Sequence, residues 1–210
     1  MRLYLSSYQL GDHPEEFVRL TGRRRSGWLV MNALDGGDEA RRRADTGVQL
    51  GRLAALGLDA DVLDLREHTP ASLAAAFGEP GFLWVRGGNV FTLRMAMARA
   101  GLDALVVAGL ASDAFVYAGF SAGPCVLAPS LHGLELCDPV ERCEAAYGGV
   151  RFDGLAVLDR PVVPHLDSPG HPETDLLRLV ADAYEASGQP YWALRDGQAL
   201  IVEGAAFRIE

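Results

Sequence analysis

Ala114-Phe115-Val116-Tyr117-Ala118-Gly119-Phe120-Ser121-Ala122-Gly123 is an apolar run that stops at Gly-x-Ser-x-Gly. A run this short and this apolar reads as a buried strand, and the glycine-flanked serine reads as a sharp turn from that strand into a helix. At such an elbow the serine backbone is strained, so the positions two before and two after it must lack a Cβ; Gly119 and Gly123 meet that need. The following N–H then points where an oxyanion develops, which makes Ser121 a candidate nucleophile and the Ala122 amide a candidate donor. The pentapeptide equally fits a turn carrying an ordinary surface serine, and the flanking segments must decide.

Outward from the elbow, short apolar runs at residues 3–7, 28–33, 62–65 and 82–85 alternate with Ala/Leu/Arg-rich stretches of helical period. Alternation of this kind predicts βαβ units. The runs near Trp28 and Phe82 are continuously apolar, as central strands covered on both faces should be. The fold class is therefore α/β, a doubly wound, mostly parallel sheet with helices on both faces. Residues 38–56 carry Ala40, Ala44, Val48 and Leu53 at helical spacing before Gly57, which predicts a helix. Residues 122–128 predict a short helix ended by Pro129, and a second helix is expected over 173–186; between them the pattern reads as strands and turns. Asp196-Gly197 is a hairpin signal, and the runs 200–202 and 206–209 predict a closing antiparallel hairpin.

The chain has 210 residues, 49% of them hydrophobic, which is enough for one substantial core and predicts one domain over 1–210. Its net charge of -9 argues against a nucleic-acid surface. All 19 basic residues are arginine; the triplets 23–25 and 41–43 have acids nearby and no interleaved aromatics, and read as solvated faces. The three cysteines, Cys125, Cys137 and Cys143, lack Cys-x-x-Cys spacing, so neither a disulfide framework nor a zinc knuckle is indicated. No segment reads as a signal peptide or a membrane span, and the expected setting is cytoplasmic, with no membrane partner.

A serine nucleophile needs a base and a group that orients the base. Of five histidines, His13 and His68 sit in turns and His132 lies close after the elbow helix. His165 ends the apolar stretch 161–164, at the carboxyl edge of a strand where open α/β sheets build their sites. It is the favoured base, with His171 in the loop beyond as the alternative base or a substrate contact. Arg86-Gly87-Gly88-Asn89 closes another central strand and opens a helix, so its N–H groups could face an anion, and Gly88 is the candidate second oxyanion donor beside Ala122.

Gly87-Gly88-Asn89-x-Phe91, then Gly119-Phe120-Ser121-Ala122-Gly123, then Phe152-Asp153-Gly154-Leu155 leading into Val163-Pro164-His165 resemble the peptidase E family. Those are aspartyl dipeptidases of the class I glutamine amidotransferase-like fold, with the cyanophycinases more distant cousins. The resemblance implies Ser121 as nucleophile, His165 as base, small peptides as substrates and no metal or organic cofactor. It also implies an acid between serine and histidine. Asp138 is the first choice, because on a strand it would share a face with Leu134 and Leu136, and Glu135 is the second.

Aspartate-selective members carry, in a longer loop after the histidine, an arginine for the substrate carboxylate. The best alignment puts Asp175 there, which would repel an acidic side chain, and Arg178 one turn along is the cation that could replace it. The expected substrate contacts are thus Asn89, His171, Asp175 and Arg178, with strict Asp-X activity doubtful and neutral or basic residues preferred. Rival readings are a carboxypeptidase-like relative or a binding protein of the same fold without turnover. A glutamine amidotransferase would carry cysteine at the elbow. A homodimer covering the site would suit small-peptide selectivity.

Overall fold

The computed structural model describes residues 1–210. In chain order it forms β1 (Arg2–Ser6), α1 (Pro14–Thr21), β2 (Ser26–Val30), α2 (Glu39–Ala55), β3 (Asp59–Val62), α3 (Pro70–Ala76), β4 (Phe82–Val85), α4 (Val90–Ala100), α5 (Leu102–Ala111), β5 (Val116–Phe120), α6 (Ala122–Cys125), α7 (Val140–Tyr147), β6 (Val162–Val163), α8 (Thr174–Ser187), β7 (Trp192–Ala193), β8 (Ala199–Glu203) and β9 (Ala206–Ile209). Seven strands make one sheet in the order β3-β2-β4-β5-β1-β8-β9. The first five are parallel; β8 runs antiparallel to β1, and β9 antiparallel to β8. A separate parallel pair, β6 with β7, carries the histidine segment.

Strand residues alternate between two cores, as the pleat requires. From β1, β4 and β5, the side chains of Leu3, Leu5, Leu83, Val85 and Tyr117 enter the larger core, under α3 to α8. Those of Tyr4, Phe82, Trp84, Val116, Ala118 and Phe120 enter the smaller one, where Phe17 of α1 and Leu53 of α2 meet them. Every residue of β4 and β5 is buried, which is why these strands read as unbroken apolar runs. The doubly wound sheet and the closing hairpin match the sequence expectation.

Four local readings are corrected. The third strand lies at 59–62, polar and largely exposed, because it is the sheet edge and pairs with β2 alone. In α2, Ala40, Ala44 and Val48 point to solvent while Arg42, Gln49 and Leu53 face the sheet. Paired polar groups take the place of the apolar stripe: Arg42 reaches Asp64 at 3.0 Å, and Gln49 accepts from the Trp84 indole at 3.2 Å. Residues 134–136 form a 3-10 turn rather than a strand. The β8–β9 hairpin turns at Gly204-Ala205, and Asp196-Gly197 instead joins β7 to β8.

Candidate active site

β5 delivers Ser121 to the carboxyl edge of the sheet, and there the serine stands at φ 54, ψ -111, outside the regions that L-residues normally occupy. The flanking glycines are needed for a specific reason: a Cβ on Gly119 would lie 2.4 Å from the Val85 carbonyl oxygen, and one on Gly123 2.7 Å from the same atom. The end of β4 thus presses on both sides of the elbow. The Ser121 N–H is spent on the Ser7 carbonyl at 3.1 Å, past the end of β1. Ala122 opens α6, so its N–H has no intrahelical acceptor and remains available.

Gly88 sits on the next strand end, at φ 143, with the Ala33 carbonyl oxygen 2.7 Å from where a Cβ would be. Its N–H makes no hydrogen bond within the protein, and both Gly88 and Ser121 line a cleft of about 480 Å³. Asn89 is otherwise employed. Its side chain accepts from Thr92 N at 2.9 Å to cap α4 and donates to the Pro139 carbonyl at 2.8 Å.

His165 follows β6 and is 1% exposed, at φ 55. Its N–H donates to Ser7 Oγ at 2.8 Å and its carbonyl accepts from Thr174 Oγ1 at 2.7 Å, so the backbone is fixed on both sides. Nδ1 lies 2.6 Å from Asp196 Oδ1, and Ser7 Oγ donates to that same oxygen at 2.8 Å. The Asp196 N–H in turn donates to Ser168 Oγ at 2.8 Å. A carboxylate only accepts, so Nδ1 carries the ring proton and the lone pair falls on Nε2. Burial lowers the His165 pKa below the ordinary imidazole value, against a smaller upward pull from Asp196. The ring is therefore neutral near pH 7, the form in which an imidazole can accept a proton.

Asp196 is thus the acid on His165, and the expectation of Asp138 or Glu135 is corrected. Asp138 Oδ2 accepts from Val90 N at 2.8 Å, at the start of α4, and Glu135 accepts from Gly133 N at 2.7 Å within its own turn. The cause is the missing strand, since a 3-10 turn at 134–136 gives neither side chain the alternating placement assumed for it. Burial, together with the nearby Glu173 charge, pushes Asp138 up to about 7.

His171 stacks face to face on His165, centroids 3.6 Å apart and planes within 5°, with Tyr8 edge-on to both rings. Asp175 is exposed on the first turn of α8, Arg178 pairs with Asp167, and neither lines the cleft. Glu173, two residues before Asp175, does line it, as do Arg41 and Arg86. Arg86 is held by Asp45 at 2.6 Å, whereas Arg41 has no acidic partner. Arg41, Arg86, Gly88 and Glu173 also line an adjoining cavity of about 360 Å³, together with Arg42, Asp138 and Arg142.

Ligand atoms of His165, His171 and Glu173 lie within 4.8 Å of one another, the spacing of a metal trio. The ring stacking argues against that use. Imidazole lone pairs lie in the ring plane, and two parallel planes 3.6 Å apart cannot both aim at one ion without a ring turning.

Comparisons with known proteins place the chain among peptidases. The uncharacterized peptidase Lmo0363 of Listeria monocytogenes is 24% identical over 152 residues, 72% of this chain and 71% of that protein. The uncharacterized peptidase Lin0382 of Listeria innocua is 28% identical over 116 residues, 55% of this chain and 54% of its own length. A crystal structure of a Listeria monocytogenes EGD-e protein, assigned provisionally to peptidase E, superposes with TM-score 0.83 at 19% identity, covering 100% of this chain and 97% of that one. That of a peptidase from an acI-B1 actinobacterium gives 0.69 at 14% identity, covering 100% and 86%. These two show the shared fold. A family model for peptidase family S51 matches residues 48–210, a span that includes the elbow, both stacked histidines and Asp196. The chain belongs to that family, and is a serine-type peptidase of the peptidase E kind.

Proposed function

We propose that the chain hydrolyses small peptides through an acyl-enzyme, with Ser121 as nucleophile, His165 as base and Asp196 as the group that orients the imidazole. The observation that carries this reading is the 2.6 Å contact between His165 Nδ1 and Asp196, in a cleft that Ser121 also lines. His165 Nε2 takes the Ser121 hydroxyl proton as Oγ attacks the scissile carbonyl. The amides of Gly88 and Ala122 hold the tetrahedral oxygen, and the proton then passes to the leaving amine. Water repeats the sequence on the ester and frees Ser121.

His171, stacked on the base, and Glu173, Arg41 and Arg86 around the cleft are the groups that meet the substrate, in place of Asn89, Asp175 and Arg178. A cleft of about 480 Å³ suits a short peptide rather than a protein loop. A fluorophosphonate probe followed by peptide mapping tests the reading: Ser121 should carry the label, and Ser121→Ala should lose turnover of a peptide library by several orders of magnitude. An unlabelled Ser121, or a Ser121→Ala protein that retains more than about a tenth of the activity, would overturn it.

A further inference from the structure

The free charges of the main cleft gather at one end of it. Arg41, which has no acidic partner, Arg86 and Glu173 line both the cleft and the adjoining cavity, as Gly88 does. Tyr8, Pro169, Gly170, His171 and Pro172 line the cleft alone. The one carboxylate that lines only the cleft, Asp196, is already engaged by His165 and Ser7. Tyr8 is the largest side chain at this second end and is 43% exposed, although it comes two residues after the buried end of β1. Its backbone is fixed on both sides. The Ser7 carbonyl accepts the Ser121 N–H, the Tyr8 carbonyl accepts from Gly11 N at 3.1 Å, and Gln9 stands at φ 51, a conformation that costs free energy in a residue with a Cβ. The Tyr8 ring lies across those of Phe120, His165 and His171 at steep angles, with centroids 6.2, 5.8 and 5.5 Å away.

We propose that Tyr8 and His171 form the subsite for the residue that leaves with the amine, and that this subsite selects a large apolar or aromatic side chain there. The inference rests on the peptidase reading above. Its direction follows from the chemistry: His165 must return the Ser121 proton to the leaving nitrogen, which brings that nitrogen within about 2.6–3.2 Å of Nε2, with its own Cα about 1.5 Å beyond. The side chain of the leaving residue therefore starts beside the base, and the Tyr8 and His171 rings are centred 5.8 and 3.6 Å from the His165 ring. A charged side chain would lose water there with no guanidinium and no free carboxylate to meet it. An aromatic one gains ring contacts of the kind Tyr8 already makes, and the faces of Pro169 and Pro172 add apolar surface.

The test is the peptide library cut by the wild type, Tyr8→Ala and Tyr8→Phe, with cleavage sites read by mass spectrometry. It is followed by kcat/KM for two peptides that differ only in Phe or Ala after the bond found to be cut. The wild type should favour Phe, Tyr, Trp or Leu at that position by about tenfold over Ala, Asp or Lys, the worth of a partly buried ring. In Tyr8→Ala the Phe-to-Ala ratio should collapse to within about twofold of unity, and Tyr8→Phe should keep the wild-type ratio. Phenylalaninamide should inhibit the wild type more strongly than alaninamide, and that advantage should vanish in Tyr8→Ala. A wild type indifferent to the residue after the cut, a preference that lies before the cut instead, equal inhibition by the two amides, a Tyr8→Ala protein slower on both peptides by the same factor, or a Tyr8→Phe protein with the ratio of Tyr8→Ala would each overturn the proposal. A Ser121 that fails to take the fluorophosphonate, with no peptide cut, would instead sink the peptidase reading itself.

Discussion

At the scale of single residues, the site depends on which carboxylate holds the imidazole. Asp196→Asn should lower kcat by about two to four orders of magnitude, since an amide in place of the carboxylate no longer fixes the tautomer. Glu135→Gln, in an exposed turn, should leave steady-state kinetics unchanged, and Asp138→Asn should act through KM more than kcat. If Glu135→Gln matched the loss in Asp196→Asn, the triad drawn here would be wrong. The pH profile has a definite sign. His165 loses protons more readily than free imidazole, so the acidic limb of kcat/KM should fall below pH 6.5. Because Asp196 is the group pulling that value up, Asp196→Asn should move the limb further toward acid even as it lowers the plateau. Ser121 and His165 were legible in the sequence because each ends an apolar run at a strand edge. Asp196 was not, because Asp-Gly is a strong turn signal, and its contact with a histidine 31 residues earlier depends on how β6 and β7 pair.

At the scale of elements, the elbow works because two strand ends meet with no side chain between them. A Cβ on Gly87 would stand 2.6 Å from the Ser121 Cβ, and Gly88 combines its close approach to Ala33 with a φ that disfavours any other residue. Gly88→Ala should therefore lower kcat by about a hundredfold to a thousandfold through the lost donor, with a smaller rise in KM, in steady-state assays on a short peptide. A variant that is merely less stable and keeps its kcat would show that the Gly88 amide is not a donor. Central strands were legible for the same reason the elbow was: β4 and β5 are buried on both faces, so burial and hydropathy coincide. The stretch after α6 was not. Residues 126–161 contain the 3-10 turn at 134–136, the short helix α7 and otherwise irregular chain, and their course follows contacts such as Asp138 with Val90 N rather than any local period. In α2 the period was present but the buried face was misassigned, because Arg42 enters with its partner Asp64.

At the scale of the whole molecule, the site is a convergence of strand ends from distant parts of the chain: Ser7 after β1, Gly88 after β4, Ser121 after β5, His165 after β6 and Asp196 before β8. The rule that open α/β sheets bind ligands beyond the carboxyl ends of their strands pointed to His165 from sequence, and His165 does lie directly after β6. It could not place the acid, which comes from the opposite end of β8, brought alongside because β8 runs against β1. The positive φ angles of Ser121 and His165 carry a further consequence. Both residues of the proposed proton transfer are held in conformations that cost free energy in every folded molecule, about 1–3 kcal/mol at each residue. Ser121→Gly should therefore be more stable than Ser121→Ala by about 1 kcal/mol in denaturant unfolding, while both lack activity. Laboratory evolution that scored only folding or heat resistance would then drive this protein toward an inert scaffold, since the substitutions that calm its backbone lie at the proposed nucleophile and base.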